Sequence, residues 1–167
     1  MALAAAPLAP AAGSGAPQPA PGKAFTPVTW SAAVDPGSSV VRPGAVFTVV
    51  LTAKIDEGWH VYGAEETTNG PRPLRIGLAE GQPFTAGKLQ APAPKREHDA
   101  AFNQVTTSYA KPTTFRLPVT VSAGAVPGRH DVALEVRFQA CDGRICLPGR
   151  TVKLSVPVEV GTGRTAP

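Results

Sequence analysis

Beyond residue 24 the chain is cut into short β-branched and aromatic runs by Gly and Pro, and this punctuation decides its fold class. Residues 28–32, 46–51, 58–62, 74–78, 113–121, 130–140 and 151–160 each read as a strand. Pro36-Gly37 and Pro43-Gly44 mark turns near the start. In the sixth run, Leu134, Val136 and Phe138 share one face at period two, with Arg137 and Gln139 on the other. Residues 92–107 form a polar stretch between runs. No segment carries the apolar stripe of an amphipathic helix, and no internal repeat is present. Short strands divided by Gly/Pro turns predict an all-β antiparallel β-sandwich.

The ends have a different texture. Residues 1–22 are dominated by Ala and Pro and carry no charged side chain. Such a segment cannot bury enough apolar surface to offset the entropy of ordering it. Residues 1–24 are therefore expected to form a disordered Ala/Pro-rich leader, either a tether left after signal removal or an expression remnant. Residues 25–161 form the domain and 162–167 a tail. The net charge of +4 comes from 16 basic and 12 acidic residues, which are scattered. Without a basic cluster interleaved with aromatics, a nucleic-acid surface is excluded. The longest apolar run, near residues 45–53, is shorter than the ~20 residues of a membrane-spanning helix.

The only two cysteines, Cys141 and Cys146, lie in the run F-Q-A-C-D-G-R-I-C-L-P. Asp142-Gly143 is a strong turn signal, so the chain returns on itself and sets the two thiols opposite each other. Directly opposed residues sit ~4.5–5.5 Å apart, which a disulfide can span. A loop this short contributes only ~2 kcal/mol in the chain-entropy account, a weak reason to conserve a staple. Three readings stand on the residues alone: a structural staple, a working redox pair, and metal ligation. The last is disfavoured because the spacing is not C-x-x-C and His60, His98 and His130 are scattered. Arg137, Arg144 and Arg150 lie close in sequence to the cysteines, either to stabilise a thiolate or as solvated strand and turn charges.

The cysteine run, followed by the strand T-V-K-L-S-V, resembles the N-terminal (alpha) domain of the thiol:disulfide interchange protein DsbD. Three further parts agree. Gly58-Trp59-His60-Val61-Tyr62 resembles that family's aromatic strand, and Glu97, Asp99 and Phe102 resemble its acidic-then-phenylalanine cap. Tyr109 follows at the family's spacing, before Leu117-Pro118-Val119-Thr120. The resemblance covers residues 26–160; its departure is four residues between the cysteines, where some members have five.

The resemblance implies an immunoglobulin-like sandwich in a periplasmic or otherwise extracytoplasmic compartment. It implies a thiol–disulfide oxidoreductase domain, not autonomous, that relays reducing equivalents from a thioredoxin-like donor to periplasmic acceptors, including thiol proteins of cytochrome c biogenesis. Cys146 would then be the attacking thiolate, Cys141 the resolving one and Phe102 the lid, flanked by Asp99 and Glu97. By strand alternation Trp59 and Val61 share one face and His60 and Tyr62 the other. His60, Tyr62, Tyr109 and Arg144 are candidates to line the site, with His60 a possible proton donor. Exchange needs no cofactor and no metal. The chain stops at Pro167 without the membrane conduit or thioredoxin-like domain of full-length members, so it is expected to act as a fragment or as a domain fed in trans. The alternative is a redox-inert immunoglobulin-like binding module with a structural disulfide.

Overall fold

The computed structural model describes residues 25–36 and 40–162. The expected leader, and the tail beyond residue 162, lie outside the described residues. Twelve strands run in chain order: β1 (Val28–Val34), β2 (Val40–Val41), β3 (Val46–Ile55), β4 (His60–Tyr62), β5 (Arg75–Leu78), β6 (Phe84–Ala86), β7 (Lys95–Asp99), β8 (Gln104–Tyr109), β9 (Thr113–Val121), β10 (Gly128–Phe138), β11 (Ala140–Cys141) and β12 (Arg150–Val160). The described residues contain no helix.

Two four-stranded sheets form the sandwich, ordered β1-β3-β9-β6 and β2-β12-β10-β5. All pairings are antiparallel except β2 with β12. Period-two alternation writes the core directly. Val49, Leu51 and Ala53 of β3 face inward with Phe115, Leu117 and Val119 of β9. Val132, Leu134, Val136 and Phe138 meet them from β10, all at most 4% exposed. Trp30 bridges the sheets, its ring 5.7 Å from both Phe115 and Phe138. Burying one such side chain contributes roughly 1.5–3 kcal/mol, so this shared interior is the main source of stability.

A third sheet, ordered β11-β4-β8-β7, sits at one end and carries the cysteines. Two features here differ from the sequence reading. The polar stretch 92–107 contains strand β7 and most of β8, a hairpin in register from Lys95↔Ser108 to Asp99↔Gln104. Its turn is closed by Asp99 Oδ1, which accepts the Ala101 N–H at 2.8 Å and the Phe102 N–H at 3.3 Å, with Asn103 in the left-handed region at φ 50°. The strand expected over 130–140 does not run on into Cys141. It breaks at Gln139, and Ala140 and Cys141 leave the β10 sheet to pair with Val61 and His60 of β4. Phe138 pairs with Arg150, so residues 139–149 project from the end of the β10–β12 hairpin. Gln139 ties that projection down, accepting the Arg72 N–H at 2.8 Å and donating to the Leu147 carbonyl at 3.2 Å.

Candidate functional site

Cys141 and Cys146 face each other as an antiparallel bridge, Cα atoms 4.1 Å apart, joined by a disulfide. The turn between them follows from its sequence. Asp142 Oδ1 accepts the N–H groups of Arg144 and Ile145, each at 2.9 Å, and the Asp142 N–H donates to the Ile145 carbonyl at 3.1 Å. Gly143 takes the left-handed φ of 86° that a side chain would disfavour. The two sulfur-bearing residues are unequal: Cys141 is 1% exposed, whereas Cys146 is half-buried at the surface.

One face of the third sheet is the floor beside this turn. Cys141 pairs with His60, Tyr62 with Ser108, and Thr106 with Glu97, so these side chains fall on a common face. With the turn of the β7–β8 hairpin they enclose a cleft of about 250 Å³ that also reaches Cys146 and Arg144. Trp59 and Val61 point the other way, into the core.

Tyr62 is the centre of the floor. It is 2% exposed, and its hydroxyl donates to Asp99 Oδ2 at 2.6 Å and lies 4.0 Å from Cys146 Sγ. The His60 ring meets it edge-on at 5.0 Å and the Phe102 ring meets it edge-on at 5.9 Å. Burial, then the bond to Asp99 and that group's charge, push the Tyr62 hydroxyl well above its ordinary pKa, so it stays a donor. Burial also pushes Asp99 upward, but the Tyr62 hydroxyl, the Ala101 and Phe102 N–H groups and His60 outweigh it and hold the carboxyl below its usual range. Burial lowers His60 despite the pull of Asp99, Glu97 and Asp142, leaving a neutral imidazole next to Cys141 at pH 7. Asp142 is held low by the N–H groups of Ile145 and Arg144.

The cleft therefore brings together Cys141, Cys146, His60, Tyr62, Glu97, Asp99 and Arg144. Two expected residues stand apart. Tyr109 faces the opposite side of β8, its ring 5.2 Å from Phe115 and its hydroxyl donating to the Pro92 carbonyl at 3.1 Å. Phe102 braces Tyr62, while Ala100 and Ala101 take the positions lining the cleft. Of the three neighbouring arginines, Arg137 pairs with Glu135 at 3.1 Å and Arg150 donates to Thr26 at 3.0 Å, so the expectation of a thiolate-stabilising cluster reduces to Arg144. Thr106, Ser108, His98 and Ile145 also line the cleft and were missed. Counting back by twos along a strand from Ser108 would have found Thr106, had β8 been recognised. Among the described residues no group of three or more His, Cys, Asp or Glu could hold a metal ion.

The solved structures similar to the chain include two N-terminal domains. The reduced N-terminal domain of DsbD from Neisseria meningitidis matches at 17% identity and a TM-score of 0.48, over 66% of this chain and 77% of that one. The N-terminal periplasmic domain of ScsB from Proteus mirabilis matches at 12% identity and a TM-score of 0.44, over 80% of this chain and 45% of that one. No curated protein sequence matches. The family described as "Thiol:disulfide interchange protein DsbD, N-terminal" matches residues 32–157, a span that holds both cysteines, the cleft floor and most of the sandwich, and the chain belongs to that family.

Proposed function

We propose that Cys141 and Cys146 are the redox pair of a thiol–disulfide exchange domain that takes electrons from a thioredoxin-like donor and passes them to extracytoplasmic disulfide acceptors. Membership of the thiol:disulfide interchange family supplies the chemistry. The unequal exposure of the two cysteines carries the assignment of roles. An attacking thiolate must meet a partner sulfur in line with the bond it breaks. Cys146 opens onto the surface and Cys141 does not, so partners exchange through Cys146 and Cys141 resolves the mixed disulfide.

Each half-cycle balances. The donor's thiolate attacks Cys146 Sγ and Cys141 leaves as a thiolate; the donor's second thiol then releases Cys146, and two electrons and two protons have entered the pair. In the second half-cycle Cys146 attacks an acceptor disulfide and Cys141 closes the bridge again. The Cys141 thiolate formed in the first step appears beside His60, its cross-strand neighbour, and within reach of the Tyr62–Asp99 pair on the same floor. That thiolate takes up a proton, which His60, as its cross-strand neighbour, relays from solvent. The cap, with Phe102 against Tyr62 and its turn held by Asp99, shelters the reduced pair between encounters. The domain works in the periplasm; among its described residues no helix is long and apolar enough to cross a membrane.

Trapping is the test. A Cys141→Ser chain, mixed with an oxidised thioredoxin-like protein, should hold it as a stable mixed disulfide through Cys146, and Cys146→Ser should trap little. Equal trapping removes the role assignment. A wild-type bridge with a potential below about −300 mV that no thioredoxin-like donor reduces would instead establish the redox-inert binding module.

A further inference from the structure

The cleft holds two hydroxyls that the exchange reaction does not use. Ser108 and Thr106 are each 4% exposed, and neither side chain makes a hydrogen bond among the described residues. Both share the face of Tyr62 and Glu97, their cross-strand partners, and so point into the cleft. Among the described residues the sealed side-chain polar atoms without a partner are Trp30 Nε1 and Thr67 Oγ1, so the Ser108 and Thr106 oxygens open onto the cleft and can meet a ligand there. The surrounding charge is net negative. Glu97, Asp99 and Asp142 line the cleft against a single guanidinium, Arg144, a balance of −2 (three carboxylates less one cation), with Lys95 paired to Glu97 from outside the lining. The alanines at 100 and 101 leave about 250 Å³ open beside the sulfurs.

We infer that this cleft binds a low-molecular-weight disulfide carrying ammonium groups, of the cystamine type, and that the reduced pair reduces it directly. This rests on the redox reading of the cysteines. The ammonium sits among the carboxylates and donates to the Ser108 and Thr106 hydroxyls, which brings the small disulfide bond against Cys146. The Cys146 thiolate attacks one sulfur and the other departs with its half of the molecule, taking a proton. Cys141 then attacks Cys146 Sγ, forms the Cys141–Cys146 bond and expels the second small thiol. The protein pair loses two electrons and two protons; the small disulfide becomes two thiols.

The test uses the reduced full chain at low ionic strength with three probes: cystamine, the neutral bis(2-hydroxyethyl) disulfide and the anionic 3,3′-dithiodipropionate. The same chain unfolded in urea reports the probes' intrinsic reactivities and the local sequence charge. The folded-state rate ratio of cystamine to dithiodipropionate should exceed the unfolded ratio by about tenfold and collapse in high salt. Glu97→Gln should shrink it by about threefold, and Ser108→Ala should slow cystamine more than the neutral probe. Each variant is compared only where circular dichroism shows it fully folded, because an unfolded fraction would itself pull the ratio toward the unfolded value. Equal folded and unfolded ratios overturn the inference, as does a chain that exchanges with a thioredoxin-like protein but with none of the probes. A reduced chain inert toward both would overturn the redox reading itself.

Discussion

Removing the Asp99 carboxylate should break the link between the cleft floor and the cap. Its Oδ2 accepts the Tyr62 hydroxyl at 2.6 Å, and its Oδ1 accepts the Ala101 and Phe102 N–H groups. The two amides lie at an exposed turn, where water replaces the lost partner at little cost. The Tyr62 hydroxyl does not have that recourse, because the residue is 2% exposed. An unsatisfied buried donor costs ~1–3 kcal/mol, so Asp99→Ala should destabilise the oxidised chain by about that much. For a domain of this size that lowers Tm by about 3–10 °C. Tyr62→Phe removes the orphaned donor, so the double variant should be little worse than Asp99→Ala alone, with a coupling of ~1–2 kcal/mol. Urea melts of the four proteins measure it. A pH series adds an independent readout. Asp99 is depressed in the folded state, so its contribution is complete above the ordinary carboxyl pKa of ~3.9 and disappears as pH falls through the folded value. The wild type should lose that stability below about pH 4, and Asp99→Ala should lack this part of the acid transition. Additivity of the two substitutions within ~0.5 kcal/mol would refute the latch.

Three more outcomes follow from the same geometry. His60 is lowered by burial, so the unfolded chain binds its proton more tightly, and stability should decline as pH drops from about 7 through the folded pKa; His60→Gln should flatten that slope in urea melts at pH 7 and 5. Gln139→Ala frees the Arg72 N–H and the Leu147 carbonyl, and should cost ~1 kcal/mol while speeding hydrogen exchange at Leu147, whose N–H bonds the Ala140 carbonyl. Cys141→Ser should cost more than the ~2 kcal/mol of the lost loop constraint, because it also places a hydroxyl where a 1% exposed thiol was, whereas Cys146→Ser should stay near ~2; calorimetry of both separates them.

What could be read in advance tracks what burial writes into sequence. The inward faces of β3, β9 and β10 were legible because each strand has one wet side and one dry side, and Leu134, Val136 and Phe138 fell on the dry one. Strand β7 was not, since Lys95-Arg96-Glu97-His98-Asp99 is polar on both faces: one meets solvent and the other meets the cleft. The same cause misplaced Tyr109, whose side of the sheet depends on knowing that β8 exists. Arg137 and Arg150, unlike Arg144, are neighbours of the cysteines in sequence only, and alternation along β10 sends Arg137 to Glu135 on the outer surface.

The break at Gln139 shows why the site is where it is. A continuous β10 would have kept Cys141 in the sandwich, opposite Leu147 if the β10–β12 register ran on. Transferring two residues to β4 places Cys141 against His60 and brings Cys146 over Tyr62, so a side-chain amide that closes the gap left in the β10 ladder also assembles the candidate redox floor. Asp142-Gly143 fixes the turn but not the sheet it joins; that choice is made by Ala140, whose 3% exposed side chain packs in the core while its backbone pairs with Val61. Local turn chemistry made the cysteine pair visible from sequence. Its environment came from a pairing between residues eighty positions apart, which no local pattern encodes.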